Sequence, residues 1–471
     1  MDVAGAGRAV VTCRGGARLR IAILAAGAGG MICGSCMRDN ALAGELRACG
    51  HDAVLIPLYS PLRTDTADNS SSGVFYGAVN VWLQYASGLF RRTPRFVDWL
   101  LDRPWLLRLA GRIGAQTPPA KLGDFVLSVL RGEDGPQTKE MRRLIDFLRT
   151  DVKPEVVSLP NAMFIGLAGA LRRELGARVV CELTGEDIFL DALGEPHRSE
   201  ARRLISGRTG DVDAFVATSR YYAQRMAEYL DVPAERIAVV HPGVPQRLID
   251  APRTAAEAGG ALAVGYLARI CPQKGLDRLL EAVGILRRMP GMSEVRLRVA
   301  GYLGAMHRRW FEMLRQRVRR LGLEEAFEYV GEVDFEGKRE FLDTVDVFSV
   351  PATHPEAKGT YVLEALARAV PVVLPATGAF VELVEQTGGG LLCGAPDAQG
   401  LARGLAELLS DGQKRMETGR RGREAVRTMF TTRHMALRML EVYDAAGGQR
   451  TGGVGAAEGV SGSGGRGADY P

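Results

Sequence analysis

The sequence predicts an α/β protein of two doubly wound domains, and three observations carry this prediction. Short apolar runs typical of buried strands alternate with helical stretches from residue 19 to about residue 430. An Ala/Gly-rich stretch at 255–260 divides the alternation into two sets. A chain of 471 residues is also long enough for two or three domains. Two such domains would place a ligand cleft between them, at the carboxyl ends of both sheets.

The first predicted domain, residues 19–250, opens with an apolar run, a glycine-rich loop and a helix. Gly27, Gly29 and Gly30 form the loop, and Gly50 is a helix-stopping residue after the first helix. This order is the one found in open parallel sheets. The predicted strands cover residues 19–24, 53–58, 156–159, 177–183, 214–219 and 237–240, and the predicted helices cover 37–49, 164–175 and 221–230.

The second predicted domain, residues 260–430, repeats the alternation of strands and helices. A last helix at 431–446 is expected to pack back toward the first domain. The predicted strands cover residues 262–264, 296–300, 327–330, 345–350 and 370–374, and the predicted helices cover 277–286 and 305–321.

Composition and the chain ends limit the classes of function. We expect residues 1–18 to form a disordered lead. The Gly/Ser-rich tail at 447–471 has few large apolar residues to offset the entropy lost on ordering, so we expect it to be disordered as well. A net charge of +5 is too small to argue for nucleic acid as a partner. Seven scattered cysteines fit reduced thiols, and no apolar run reaches the length of a membrane span. These features predict a cytoplasmic protein.

A long insertion at 60–150 separates two strands of the first domain. Residues 89–112 mix aromatic side chains with arginines, a pattern that fits a plain helical hairpin, an acceptor-binding platform or a helix on an anionic membrane surface. The sequence leaves these three readings open, so peripheral contact with the inner membrane face remains an alternative.

The segment around Glu356 and Glu364 is the most informative part of the chain. The apolar run 345–350 precedes it, Gly359 lies at a turn, and an Ala/Leu-rich helix follows. A helix N-terminus offers free N–H groups and a positive dipole end, which suit a phosphate. Two carboxylates on either side of that phosphate could bind the hydroxyl groups of a sugar and a ribose.

A second segment carries the cations that a diphosphate needs. Arg269 and Lys274 lie on the loop after the strand near Val264. An arginine clamps phosphate oxygens with two parallel bonds, and a lysine acts as a mobile point charge. The order of these cations before the Glu356 segment predicts a nucleotide-sugar site.

Together these motifs resemble the retaining glycosyltransferases of family 4, which have the GT-B fold of two Rossmann-like domains. The resemblance implies transfer from a nucleotide diphosphate sugar to a hydroxyl on a glycan, lipid or small molecule, with no cofactor and no metal ion. Its implied catalytic residues are Glu356, Arg269 and Lys274. Its implied donor-binding residues are Gly29, Gly30, Gly359, Thr360, Tyr361 and Glu364. Arg38, Asn40, Glu186 and Asp187 are candidate sugar or acceptor contacts.

The chain departs from the family pattern at three positions. Thr184 stands where many relatives have a histidine, and threonine is no general acid or base near neutral pH. Ala268 and Ala369 stand where many relatives have glycine. Thr184 keeps open the alternative of a non-catalytic nucleotide-sugar-binding protein. The aromatic segment at 74–82 suggests a second alternative, an α-glucan synthase.

Cys33 and Cys36 form a Cys-x-x-Cys pair at the predicted start of the first helix. Such a position lowers a thiol pKa and supports redox chemistry. A zinc site would need a second pair of ligands, which the sequence lacks. We favour the interpretation that these cysteines shape the cleft loop.

Overall fold

A computed structural model of the chain describes residues 17–27, 33–64, 66–71, 75, 119–252, 260–394 and 397–451. Gly29 and Gly30 lie outside the described residues. So do most of the aromatic segment at 74–82, the stretch 89–112, and all but the last two residues of the predicted lead.

Two six-stranded parallel sheets form the framework, which confirms the predicted α/β architecture. The first sheet has the order β2-β1-β3-β4-β5-β6 and the second the order β12-β11-β10-β7-β8-β9. The first contains β1 Arg20–Ala25, β2 Asp52–Pro57, β3 Val156–Leu159, β4 Arg178–Leu183, β5 Ala214–Ala217 and β6 Ile237–Val239. The second contains β7 Ala263–Leu267, β8 Arg296–Ala300, β9 Phe327–Gly331, β10 Val347–Phe348, β11 Val372–Pro375 and β12 Gly390–Cys393.

Helices cover both faces of these sheets, as parallel strands require. Those of the first half are α1 Gly34–Ala48, α2 Gly123–Leu130, α3 Thr138–Phe147, α4 Ala168–Leu175, α5 Asp187–Asp191, α6 His197–Ser206, α7 Arg220–Leu230 and α8 Gln246–Asp250. Those that follow are α9 Leu276–Leu286, α10 Arg308–Arg320, α11 Phe335–Asp343, α12 Thr360–Ala367, α13 Ala379–Thr387, α14 Ala398–Leu409, α15 Gly412–Met429 and α16 Thr432–Thr451.

The residues of β4 show why its apolar run is continuous. Val179 and Cys181 point into one hydrophobic cluster, and Val180 between them points into another on the opposite face. Successive side chains of a strand point to opposite faces of the sheet. A strand covered on both faces therefore needs apolar residues at its odd and its even positions.

The last helix, α16, packs on the first sheet. Its Met435, Met439 and Tyr443 are buried in the same cluster as Leu42 of α1 and Val180 of β4. The chain returns to the first domain directly after α15. There the carbonyl of residue 430 accepts a hydrogen bond from the Val244 N–H at 2.8 Å.

Several predicted elements differ in extent from the structure. The helix predicted at 37–49 begins at Gly34, because the Cys33 carbonyl already accepts the Met37 N–H at 3.0 Å. The strand predicted at 345–350 pairs only over β10. The helix predicted at 164–175 begins with 3₁₀ turns at Ala162–Leu167. Sequence reasoning missed α15, which buries only a few small or polar residues and Val426 and so lacks a wide apolar face.

Candidate active site

The pairing of β10 with β7 brings the two predicted motifs side by side. The loops after these strands touch where the Thr353 N–H donates to the Gln273 carbonyl at 3.0 Å. Lys274 Nζ donates to Glu356 Oε2, although the two residues are 82 positions apart. Two of the three predicted catalytic side chains are therefore in contact.

Glu356 is held by two donors in a mostly buried position. The Tyr361 hydroxyl donates to Glu356 Oε2 at 2.6 Å, and Lys274 Nζ lies 5.1 Å from the centre of the Tyr361 ring. Burial by itself would raise the pKa of Glu356, but Lys274, the Tyr361 hydroxyl and the more distant Lys358 outweigh it. The pKa therefore lies below its ordinary value. Glu356 is thus ionised at neutral pH and accepts hydrogen bonds.

The N-terminus of α12 lies four residues after Glu356, at Thr360. Gly359 adopts a left-handed conformation, with φ 65°, which turns the chain into the helix without steric cost. Among the described residues no side chain caps this end, and the first turn has no acidic residue. The N–H groups of Thr360 and Tyr361 therefore suit an anion such as phosphate.

Gly378 fixes the backbone of Glu356 from the start of α13. The Ala379 N–H donates to the Glu356 carbonyl at 2.8 Å. Gly378 has φ 58°, and a side chain there would collide with the backbone nitrogen and oxygen of Glu356. Sequence reasoning missed this contact, because the glycine precedes a helix that was itself not predicted.

Glu364 lies on α12 and is paired with a lysine that the sequence did not single out. Lys338 Nζ of α11 donates to Glu364 Oε1 at 2.7 Å, and both side chains are about nine-tenths buried. The ion pair holds the carboxylate on the same helix whose N-terminus follows Glu356. No spacing rule pointed to Lys338, because it lies 26 residues away on another helix.

Arg269 is exposed on the loop after β7. Its guanidinium forms no ion pair with the residues that the structure describes. It does lie near His307, whose pKa is lowered by burial and, to a smaller extent, by Arg269. The structure thus places Arg269 at the edge of the loop that carries Lys274.

The segment after Glu356 touches the first domain. The Ala357 carbonyl accepts hydrogen bonds from Thr218 Oγ1 at 2.9 Å and from Ser219 Oγ at 2.8 Å. Both residues follow β5 at the carboxyl end of the first sheet. Lys358 Nζ donates to Ser35 Oγ at the start of α1. The two residues after Glu356 consequently lie against the first domain, and these contacts were not predicted.

The candidate contacts of the first domain are buried and bonded within the protein. Arg38 Nη1 donates to Glu182, and the amide nitrogen of Asn40 donates to the Ala67 carbonyl at 2.9 Å. These bonds hold both side chains in place, while the buried Nε and Nη2 of Arg38 have no hydrogen-bond partner among the described residues.

Glu186 and Asp187 are likewise engaged by their own domain. Glu186 accepts the Thr184 N–H at 2.7 Å, and Asp187 accepts the Tyr222 hydroxyl at 2.9 Å. Burial raises the pKa of Glu186, although backbone N–H bonds oppose it. The Thr184 hydroxyl lies 3.5 Å from the Pro160 carbonyl, so this departure from the family pattern is part of the same bonded loop.

No group of three or more His, Cys, Asp or Glu side chains in the described ranges could hold a metal ion. In that same part of the chain, no helix is long and apolar enough to cross a membrane.

Comparison with known proteins identifies the family of the chain. The family model for glycosyl transferases group 1 matches residues 252–425, and the model for a glycosyl transferase 4-like domain matches residues 39–243. The lipopolysaccharide core biosynthesis mannosyltransferase LpsB of Rhizobium meliloti is 30% identical over 269 residues, which are 55% of this chain and 71% of LpsB. The chain belongs to the glycosyl transferases group 1 family. It is a glycosyltransferase, as the resemblance implied.

A further relative supports the same family, and solved structures support the fold. This glycosyltransferase is 29% identical to a GDP-mannose-dependent α-(1-6)-phosphatidylinositol monomannoside mannosyltransferase of Mycobacterium tuberculosis, over 64% of this chain and 77% of that protein. The structure of Anabaena HepE with UDP and glucose matches with a TM-score of 0.62 and 17% identity, over 91% of this chain and all of HepE. Sucrose-phosphate synthase of Thermosynechococcus elongatus matches with a TM-score of 0.66 and 16% identity, over 92% of this chain and all of that one. These likenesses confirm the predicted GT-B fold.

Proposed function

We propose that this glycosyltransferase moves a sugar from a nucleoside diphosphate sugar to a hydroxyl acceptor, with retention of configuration and without a metal ion. One observation carries the proposal: Lys274, Glu356 and the uncapped N-terminus of α12 occupy one place at the carboxyl end of the second sheet. A cation and a helix end together neutralise a leaving diphosphate.

The diphosphate would take the place that these donors define. The N–H groups of Thr360 and Tyr361 would bond its oxygens, and Lys274 would add a positive charge. Arg269, exposed on the same loop as Lys274, would fold over the phosphates when the donor arrives. Glu364 would accept bonds from the ribose hydroxyls, while Lys338 holds the carboxylate in position.

Glu356 would bind the donor sugar as an ionised carboxylate. Its lowered pKa makes it a poor general acid at neutral pH, so its role is to accept hydrogen bonds and to stabilise positive charge that develops on the sugar. In a front-face displacement with retention, the leaving phosphate itself accepts the acceptor proton. Catalysis then consists of charge stabilisation and positioning, which these residues supply.

The acceptor would be a hydroxyl of a glycan or of a lipid-linked glycan. The names of the relatives described above point to lipopolysaccharide core and to phosphatidylinositol monomannoside as the products or acceptors of those proteins. Acceptor choice depends on first-domain loops that differ between family members, so we extend only the chemical class to this chain.

A thermal-shift panel tests the donor site. The diphosphates of uridine, guanosine, adenosine and thymidine, and their sugars, are each added at millimolar concentration. A ligand at 100 times its Kd stabilises the fold by about 2.7 kcal/mol, so at least one nucleotide should raise the melting temperature by several degrees. No shift with any nucleotide would contradict the proposal.

Turnover separates an enzyme from a non-catalytic binding protein. Steady release of nucleoside diphosphate from the stabilising donor, unchanged by a chelator, is the expected result. The anomeric configuration of the product, measured by NMR, then decides retention. Binding without turnover over hours would favour the non-catalytic alternative.

A further inference from the structure

Two cysteines lie at the cleft end of α1 and have no part in the proposed transfer chemistry. Cys33 precedes the helix in an extended conformation and is partly exposed, whereas Cys36 in the first turn is 3% exposed. Side chains three positions apart on a helix have Cβ atoms about 5–6 Å apart. A disulfide needs Cβ atoms roughly 3.5–4.5 Å apart, so the Cβ atoms of Cys33 and Cys36 must approach by about 1–2 Å for the two sulfurs to join.

The surroundings of these cysteines favour a thiolate. The N-terminal end of α1 carries no acidic residue in its first turn, and the side chain of its N-cap residue, Cys33, makes no capping hydrogen bond. Lys358 of the second domain reaches Ser35, between the two cysteines, and its ammonium forms no ion pair with a carboxylate of the described residues. A helix N-terminus and a nearby ammonium both stabilise a negative sulfur.

The two thiols differ in reactivity. A hydrogen bond from Cys36 is the main reason that the pKa of Cys33 lies well below its ordinary value, and Lys358 adds to the effect against the cost of burial. The same hydrogen bond and burial raise the pKa of Cys36 well above its ordinary value. A partly exposed thiolate beside a buried thiol is the arrangement of an attacking and a resolving cysteine.

Other cysteines in the described part of the chain lack this combination. Burial raises the pKa of Cys181 and of Cys393. Cys49 lies at the opposite end of α1, where the helix dipole disfavours a thiolate, and it is partly exposed like Cys33. Cys49 is therefore a matched control on the same helix.

We propose that Cys33 and Cys36 form a reversible dithiol–disulfide pair, oxidised by small-molecule disulfides, and that their oxidation weakens the Lys358 contact between the two domains. The chemical half of this proposal is independent of the transfer reaction. The regulatory half rests on the proposed donor site.

The redox step balances with one disulfide RSSR as the oxidant. The Cys33 thiolate attacks one sulfur of RSSR, the RS–SR bond breaks, and RS⁻ leaves with the electron pair. Cys36 then loses its proton to that RS⁻ or to solvent, and its sulfur attacks Cys33 Sγ and expels the second RS⁻. Starting from the Cys33 thiolate, the protein loses two electrons and the Cys36 thiol proton, and RSSR becomes one RSH and one RS⁻.

Oxidation of the two cysteines would weaken donor binding through its effect on Lys358. The disulfide removes the negative sulfur beside the ammonium and leaves the Ser35 hydroxyl as its polar partner. Lys358 lies two residues after Glu356 and directly after Ala357, whose carbonyl is bonded to the first domain. We expect donor KM to rise about five- to tenfold, at the low end of usual coupling between sites.

Thiol trapping tests the chemical half. The full chain is equilibrated in glutathione buffers of increasing oxidised fraction, alkylated, digested and mapped by mass spectrometry. A Cys33–Cys36 bond should form and should be reversed by dithiothreitol, while Cys49 stays alkylated. Reduced protein should alkylate Cys33 roughly tenfold faster than Cys49 at neutral pH, and Lys358→Met should slow the Cys33 reaction. Full alkylation of Cys33 and Cys36 in the most oxidising buffer would overturn the proposal.

Donor binding tests the regulatory half. The melting-temperature shift with the stabilising nucleotide and the donor KM are measured on reduced and oxidised protein, with Cys33→Ser and Cys49→Ser as variants. The wild type and Cys49→Ser should lose affinity on oxidation, and Cys33→Ser, which lacks the attacking thiol, should not respond. Equal values in both redox states would refute the regulatory role. Absence of any nucleotide shift in either state would count against the proposed function and the regulatory half, while the disulfide map still decides the chemistry.

Discussion

Replacing Lys274 by methionine removes the charge from the proposed donor site and keeps most of the side-chain volume. The lysine bonds Glu356 and lies over the Tyr361 ring, and the side chains of the ion pair are only 16% and 14% exposed. A hydrogen bond to a charged group contributes about 1.5–3 kcal/mol. Loss of one preorganised donor at a developing charge lowers kcat by about 10²–10³. We therefore expect Lys274→Met to reduce kcat/KM by about two to three orders of magnitude.

The same change should cost moderate stability. Breaking a fully buried ion pair costs about 3–5 kcal/mol. Glu356 keeps some exposure and the Tyr361 bond at 2.6 Å, so about 1–3 kcal/mol is the expected loss at pH 7. In the wild type the lowered pKa of Glu356 stabilises the fold above about pH 4.5, and this contribution is lost as the pH falls through the native pKa. The stability difference between the two proteins should therefore shrink below pH 4.5.

Steady-state release of nucleoside diphosphate and urea unfolding at several pH values measure both effects. Lys414→Met is the control, because Lys414 pairs with Glu407 at 2.5 Å in an exposed position, with side chains 43% and 50% exposed. It should change stability by no more than about 0.5 kcal/mol and leave turnover unchanged. A kcat/KM for Lys274→Met within about threefold of the wild type would refute the assigned role.

Three further predictions concern residues around the site and the fold. Lys338→Met should raise the donor KM by about tenfold, the scale of one charge-assisted hydrogen bond, because Glu364 loses the cation that positions it. An unchanged donor KM in the release assay would exclude this role of Lys338. Ala369→Gly should stabilise the fold by about 0.5 kcal/mol in urea unfolding, because alanine at φ 55° is strained by about 1–2 kcal/mol and the higher entropy of glycine in the unfolded chain offsets part of the relief. A net loss of stability would contradict the strain argument. Burial raises the pKa of Asp39 from 3.8 to about 6. Between about pH 4 and pH 6 the native state therefore keeps a proton on Asp39 that the unfolded state has released. The free energy of unfolding should fall over that window, as the pH rises, by at most about 3 kcal/mol. Asp39→Asn should remove that fall from the pH profile of unfolding, and a variant profile parallel to the wild type would show that Asp39 titrates normally.

Much of the fold follows from local pattern. The apolar runs of β1, β2 and β4 are continuous because helices cover both faces of a parallel sheet, and such runs are visible in sequence. Helices with narrow or polar buried faces, such as α15, gave no such signal. Element ends shifted by a few residues where backbone hydrogen bonds, as at Cys33, set the true start.

The sequence by itself determined the two-sheet architecture and predicted the residues of the proposed donor site, because strand runs, Gly359 and the charges of Lys274 and Glu356 are properties of short segments. Only the tertiary structure decided which side chains hold one another. The Lys274 contact with Glu356, the Lys338 pair of Glu364 and the bonds from Thr218 and Ser219 to Ala357 join residues that are 26 to 139 positions apart. Such contacts depend on the order of strands in a sheet and on how the two domains pack against each other. The spacing of residues within a short segment determines neither of these.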